Sequence, residues 1–346
     1  GVQVFFIVAA FGALIVDRDD VRARLHIALL DGRIDETDWG PRLGVRWWRF
    51  GAGVLLGMAC ATKWSGLYFV VFFGLMSVAM DVVARRQYRV PRPWLGALRR
   101  DVGPALYALV LIPFGVYLAS YSMWFASETG VDRYEVGHSI GPRAWYQPPD
   151  AIRSLWHYTA KAYDFHSGLT NSAGNHHPWE SKPWLWPMSL RPVLYAIDQQ
   201  NVAGCGAQSC VKAVLLVGTP AMWWLAVPVL LYSAWRVVAR RDWRYAVVLV
   251  GYGAGWLPWF GDIDRQMYFF YAVAMAPFLV MAIALICGDI LYRPGQGPER
   301  RTLGTLAVCL YVALVITNFV WLFPVLTGVP VSQSTWNLEM WLPSWR

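Results

Sequence analysis

Charge is what this sequence has little of: acidic and basic residues together make up 15% of its 346 positions, against 57% hydrophobic residues and a mean hydropathy of +0.36. Ordinary soluble globules carry about a quarter of their residues as charges, so that class is excluded and a polytopic membrane protein is expected. Walker, G-x-S-x-G and dinucleotide-binding motifs are lacking, which leaves soluble nucleotide chemistry without an anchor. Internal repeats, low-complexity tracts and any stretch with the composition of a separate soluble domain are lacking too. The first apolar run, Val2 to Val16, has neither a basic leader nor a small-residue cleavage site, which excludes a secretory signal. That run is short of the roughly 20 residues a spanning helix needs, and there is no initiator Met. The expectation is a chain that starts inside a transmembrane helix, with further residues upstream.

The net charge of +8 and pI near 9.3 would suit nucleic acid if the cations shared one face. They fall instead in short arginine blocks, Arg18 to Arg49, Arg85 to Arg100, Arg236 to Arg244 and Arg293 to Arg301, each between apolar stretches. By the positive-inside rule these four connections are cytoplasmic. The apolar stretches run over residues 2–16, 47–84, 102–125, 212–235, 245–260, 267–287 and 303–326. As one helix, 47–84 would be about 56 Å long, far beyond a hydrocarbon core of about 30 Å. Both of its ends are cytoplasmic by charge, so two helices must meet outside at the only polar break, Ala61 to Gly66, which carries Lys63. The count becomes about eight spans, all-α, in one integral domain. Residues 1–125 form the first spans, 126–211 one large external loop, and 212–346 the last spans with an external tail.

Cys205 and Cys210 fall in the external loop, where an oxidising compartment permits a small disulfide. Half a zinc site is the alternative, but no second Cys pair accompanies it. His176 and His177 are adjacent rather than at ligand spacing, so no metal is assigned. The loop holds an unusual segment, HHPWESKPWLWP at residues 176–187, whose internal prolines Pro178 and Pro183 deny regular helix. Together with DIDRQ at 262–266 it gathers cations, acids and aromatic rings on one face, a mixture suited to an anionic, sugar-bearing substrate. Each feature has a plainer reading. Trp179, Trp184 and Trp186 would serve as an interfacial aromatic belt, Glu180 would pair with Lys182, and Lys63 would snorkel to headgroups.

Four motifs taken in order, GMACATKWSGLYF (57–69), HHPWESKPWLWP, VGTPAMWW (217–224) and DRQMYFFYAVAMAPF (264–278), resemble the actinobacterial protein O-mannosyltransferases. These are dolichyl- or polyprenyl-phosphate-mannose:protein mannosyltransferases of the GT-C glycosyltransferase superfamily. The resemblance covers nearly the whole chain and implies a multi-pass enzyme of the cell membrane, with about eleven spans and an external active site. The eight spans counted here would be the fourth to the eleventh. It implies inverting transfer of mannose from polyprenyl-phosphate-mannose to Ser or Thr hydroxyls of translocating secreted proteins, with no cofactor beyond the lipid-linked donor. A carboxylate must accept the hydroxyl proton, and cations must stabilise the departing phosphate. In the family the acidic pair lies in the first external loop, upstream of residue 1, so no catalytic base is assigned here. Lys63 and Arg265 are expected at the donor phosphate; His177, Trp179, Glu180 and Lys182 are expected to shape the sugar or acceptor pocket. The alternatives are another GT-C enzyme using a different lipid-linked sugar, and a transporter or membrane scaffold. Against the transporter stand the missing repeat symmetry and the absence of charges at mid-membrane.

Overall fold

The computed structural model describes residues 1–200, 202–292, 295 and 297–346, so Arg293 of the last arginine block lies outside the described residues. The chain forms two compact units, Gly1–Gly174 and Asn175–Arg346.

In the first unit, α1 (Val2–Leu30) leads through a loop to α2 (Trp47–Thr62) and α3 (Gly66–Gln87). The short α4 (Pro93–Arg100) precedes α5 (Val102–Leu106), which runs through a π-turn at Tyr107–Leu111 into α6 (Ile112–Ala119). Two further helices follow, α7 (Ser122–Ala126) and α8 (Asp150–Ser167). The helix break falls at Lys63–Ser65, within the polar step expected between 47 and 84. Gln3 of α1 secures it by donating to Lys63 O at 2.9 Å and Ser65 Oγ at 3.1 Å, and Trp64 Nε1 donates to the Tyr117 hydroxyl at 3.0 Å. The π-turn has a local cause: Pro113 has no N–H to give the preceding turn. It leaves Ala108 O against α2, where a Cβ on Gly53 would stand 1.8 Å from that oxygen and one on Gly57 2.6 Å from Val116. Small residues at this four-residue spacing let the helices approach closely.

The first helix differs from the expected span. It does not stop at Val16 but continues to Leu30, because Asp17, the first charge in its path, is buried and paired rather than solvated. Arg46 donates to Asp17 and, at 2.8 Å, to Asp81; Arg49 donates to Asp81 at 2.5 Å. Arg85 grips Asp101 with two bonds, 2.6 and 2.9 Å, and also donates to the carbonyls of Trp39 and Pro41. All six charged side chains are buried.

The second unit contains the helices α9 (Pro220–Trp223), α10 (Ala226–Arg240), α11 (Trp243–Trp256), α12 (Ala276–Leu291), α13 (Pro298–Thr327) and α14 (Gln333–Glu339). Three strands interrupt the all-helical expectation: β1 (Val193–Asp198), β2 (Cys210–Leu216) and β3 (Val331–Ser332), antiparallel in the order β1-β2-β3. The span expected from residue 212 therefore begins later, at α9. Its first residues, CVKAVLL, bury Val211, Ala213 and Leu215 on one face while Lys212 points out, the two-residue period of a strand. The sheet packs on the end of α13 and on Trp336, Met340 and Trp345.

Four helical stretches are long and apolar enough to cross a membrane among the described residues: 66–87, 102–119, 220–240 and 298–327. The larger count of eight included α1, broken by charge, and α2, α11 and α12, which have 16, 14 and 16 residues. The stretches read as 245–260 and 267–287 each contain a 3-10 segment, Leu257–Gly261 and Phe269–Ala274, at the end facing the loop between them.

Two outcomes are expected. Asp81→Ala leaves Arg46 and Arg49 to share the single carboxylate of Asp17, one buried positive charge in excess, and should cost about 3–5 kcal/mol, as breaking a buried ion pair does; a melting curve in detergent matching that of the parent would refute it. Glu339, buried with Oε2 lacking a hydrogen-bond partner, is pushed by burial from 4.5 up to about 7. The folded state thus holds a proton that the unfolded chain releases near 4.5, so stability falls as pH rises from about 4.5 to about 7 and stays lower above. Glu339→Gln should flatten that slope and stabilise by roughly 1–3 kcal/mol at pH 8 while changing little at pH 4. Melting temperatures across pH check both ends.

Candidate functional site

The segment between Asn175 and Leu190 has almost no regular structure, yet it is fixed by hydrogen bonds at nearly every step. Trp179 N–H donates to His177 Nδ1 at 3.1 Å and Glu180 N–H to His177 O at 3.0 Å. Ser181 N–H then reaches across to Met267 O at 2.7 Å. The Lys182 ammonium donates to Ile263 O at 2.9 Å and Arg265 O at 3.1 Å. Pro183 opens a single 3-10 turn, and its carbonyl accepts from Trp256 Nε1 at 2.8 Å. The loop containing His177, Glu180 and Lys182 is thereby clamped along the turn at 261–268 that joins α11 to α12.

Beneath the clamp lies an aromatic stack. Trp186 is fully buried, donates through Nε1 to Ser181 Oγ at 2.9 Å, and meets Trp259 edge-on at 5.7 Å and Tyr271 at 6.1 Å. Trp259 and Tyr271 stack at 4.2 Å. The Arg265 guanidinium stands 5.8 Å from the Trp259 ring centre and hydrogen-bonds the Tyr271 side chain. His177 meets Tyr268 edge-on at 5.4 Å, and Glu180 lies close enough to Tyr268 for their charges to interact. A flat cationic group over stacked rings, next to an imidazole and a carboxylate, can hold a phosphate.

The structure thus brings His177, Glu180, Lys182 and Arg265 together and gives them different work. Lys182 directs its ammonium to two backbone carbonyls, so it orders the turn that carries Arg265. Trp179 faces the buried cluster around Trp336 and Trp345, under the Arg191 guanidinium at 4.9 Å. The belt expected of the three tryptophans is split: Trp184 is exposed, Trp179 half-buried and Trp186 in the core. Lys63 belongs to the other unit, exposed at the α2–α3 turn. Cys205 and Cys210 form a disulfide with their Cα atoms 5.9 Å apart, closing a short loop that ends on the first residue of β2. Sequence reasoning missed Trp259, Tyr271 and Arg191; the available signal was the aromatic run MYFFY beside an arginine, which promises stacking without naming a partner.

The same unit holds an apolar cavity of about 660 Å³ lined by Pro220, Trp224, Leu225, Tyr311, Trp321 and Trp341 among others. Two of its polar groups are engaged, Asn318 Oδ1 accepting from Ala221 N–H at 2.9 Å and the Tyr311 hydroxyl donating to Ala221 O at 3.2 Å, while the buried Trp224 Nε1 lacks a hydrogen-bond partner. Such a wall suits a hydrocarbon chain.

At the opposite end of the α10–α12 helices Arg236 pairs with Asp289 and, at 2.8 Å, with Asp242, and Tyr245 donates to Asp289 at 2.6 Å. Asp242 also caps α11, accepting from Arg244 N–H. The Arg244 side chain, then Arg236, hold its carboxyl down at about 2 against the opposing effect of burial.

Helical spans, a short sheet and a loop clamped over one helix turn define a multi-pass membrane protein. A family model described as the C-terminal four TMM region of protein-O-mannosyltransferase matches residues 151–345, and the chain belongs to that family. It is 76% identical over 346 residues to a polyprenol-phosphate-mannose–protein mannosyltransferase of Mycobacterium tuberculosis strain H37Rv. It is 74% identical over 343 residues to one of Mycolicibacterium smegmatis strain MKD8, and 44% identical over 345 residues to one of Corynebacterium glutamicum. At least 99% of the chain is covered in each case, and it spans 66% of the length of each relative. A solved structure of the S. cerevisiae protein O-mannosyltransferase Pmt1-Pmt2 complex bound to the sugar donor has the same fold, with a TM-score of 0.67 at 13% identity over 87% of this chain and 69% of that one.

Replacing Lys182 by Met removes both carbonyl contacts and should free the 261–268 turn at a local cost of about 1–3 kcal/mol. Hydrogen exchange at residues 181 and 263–268 should speed up at least several-fold; unaltered protection there would show that the ammonium holds nothing.

Proposed function

We propose that this chain supplies the C-terminal membrane region of an enzyme that transfers mannose from polyprenyl-phosphate-mannose to Ser and Thr hydroxyls of secreted proteins. The observation that carries the reading is the clamp of the 176–186 loop onto the 262–268 turn, which sets Arg265 over the Trp259–Tyr271 stack beside His177 and Glu180. The names of the relatives supply the donor and the protein acceptor.

In this reading Arg265 holds the donor phosphate and strengthens its grip as negative charge gathers on the leaving group. Lys63 contributes a second cation from its helix turn. His177 and Glu180 contact sugar or acceptor, Trp179 and the stacked rings shape the pocket wall, and the apolar cavity at Trp224 and Tyr311 takes part of the prenyl chain. Charge placement supports an orientation with the arginine blocks in the cytoplasm and the clamped loop with the tail on the outer face. In the finer architecture the bundle is of GT-C type. Its eight spans include α1, α2, α11 and α12, are the last eight of eleven, and bear one large external loop over 126–211. Inversion at the anomeric carbon follows from a single displacement, with the hydroxyl proton passing to a carboxylate.

The test places residues 1–346 into the matching stretch of the Mycolicibacterium smegmatis relative and follows radiolabelled mannose from polyprenyl-phosphate-mannose into a Ser/Thr-rich peptide in membranes. Transfer should persist in the chimera. It should fall about 10²-fold or more with Arg265→Ala, the usual loss for a group that stabilises transition-state charge, and less with Lys63→Ala. Parental rates in both variants would remove these residues from the donor site; a well-folded chimera that labels no peptide would overturn the reading.

A further inference from the structure

Helix α8 shows two opposed faces. Ser154, Leu155, Tyr158 and Lys161 fall on one side at helical spacing, docked on the 124–135 segment: Ser154 Oγ accepts from Glu135 N–H at 3.3 Å, the Tyr158 ring lies 6.4 Å from Trp124, and Lys161 pairs with Asp132 at 3.1 Å. The other side carries Ile152, Arg153, Trp156, His157, Ala160 and Tyr163, with Trp156 77% and Tyr163 63% exposed. Ahead of the helix, Trp145 and Tyr146 are 91% and 71% exposed. A membrane protein presents Trp and Tyr in this way where its surface meets the headgroups, and an amphipathic helix there lies in the interface plane.

The outer face of α8 is also concave. A cavity of about 520 Å³ is bounded by Ile140, Gln147, Ile152, Arg153, Trp156 and His157, among others, and no carboxylate lines it. Arg153 is held by a 3.0 Å bond from Nη2 to Gly141 O, its Nη1 lacks a hydrogen-bond partner, and no acid lies within ion-pair distance of it among the described residues. His157 stands one turn further along the same face. Cationic and imidazole donors in an acid-free hollow, with aliphatic and indole surface at its edge, match a phosphodiester whose acyl chains lie alongside. We infer that this hollow binds the headgroup of an anionic phospholipid, the phosphate at Arg153 and His157 and the acyl region against Ile152 and Trp156. The proposal rests on the chain spanning a membrane and not on sugar transfer.

The protein is reconstituted in phosphatidylcholine nanodiscs containing graded phosphatidylglycerol, and the lipid retained on release is counted by native mass spectrometry. The parent should retain phosphatidylglycerol in preference to phosphatidylcholine. Arg153→Ala should lower that preference about tenfold, the equivalent of one lost charge-assisted contact. Trp156→Ala should weaken retention of both lipids, and Arg143→Ala, outside the hollow, should change neither. Because Arg153 also holds Gly141, Arg153→Lys and His157→Ala serve as milder variants: the first should keep most of the preference and the second lose part of it. Equal retention across all variants overturns the proposal. So does displacement of the lipid by millimolar inorganic phosphate, which would mark a free-phosphate site, or by a Ser/Thr-rich peptide, which would mark a polypeptide site.

Discussion

A charge at the end of an apolar helix must be solvated or paired, and here the arginines that punctuate the hydrophobic stretches turn back onto aspartates of neighbouring helices. In the first unit Asp17, Asp81 and Asp101 come from three places in the chain; Arg46 and Arg49 bind the first two into a buried cluster, and Arg85 pairs with the third, so that every buried charge is balanced. In the second, Arg236 does the same with Asp242 and Asp289. Close contacts such as Gly53 against Ala108 are then made between helices whose register these arrays have already set. Attraction between apolar side chains discriminates poorly in a hydrocarbon solvent; directional charge pairs discriminate well.

With one end of the α10–α12 helices fixed by charge, the other is free to carry irregular backbone. Irregular backbone taken out of water persists only where its polar groups find partners. The 176–190 loop meets that demand by lending its own groups: Ser181 N–H, the Lys182 ammonium and the Pro183 carbonyl each satisfy an atom of the 256–267 region. The two irregular segments are stable as a pair, and the surface they make together bears His177, Glu180 and Arg265.

Much of this was legible before any coordinates. The break at Lys63 followed from charge parity and helix length, and the residues of the clamp were visible as two dense motifs. What they touch was not: a lysine in a polar loop reads equally as a substrate ligand or as a latch, and only the folded chain shows that the Lys182 ammonium donates to two carbonyls of the neighbouring turn. Residues 212–216 of the strand were read as the start of a span because a short apolar run looks the same in either period until its partners are known. Asp17 misled for a related reason. A carboxylate ends a hydropathy window whether or not an arginine 29 residues later comes back to neutralise it.

The small sheet sets an order of events. β1 and β2 are neighbours in the chain, with a disulfide-closed loop leading into β2, and can pair as soon as both have emerged. β3 pairs with β2 through Ser332 with Cys210 and Val331 with Val211, after five further helices, α9 to α13, have been laid down. Contacts between residues so distant in sequence form late. The β2–β3 ladder is therefore a completion seal: until α13 has been threaded, the edge of β2 stays open, and its closure reports that the whole second unit has been assembled.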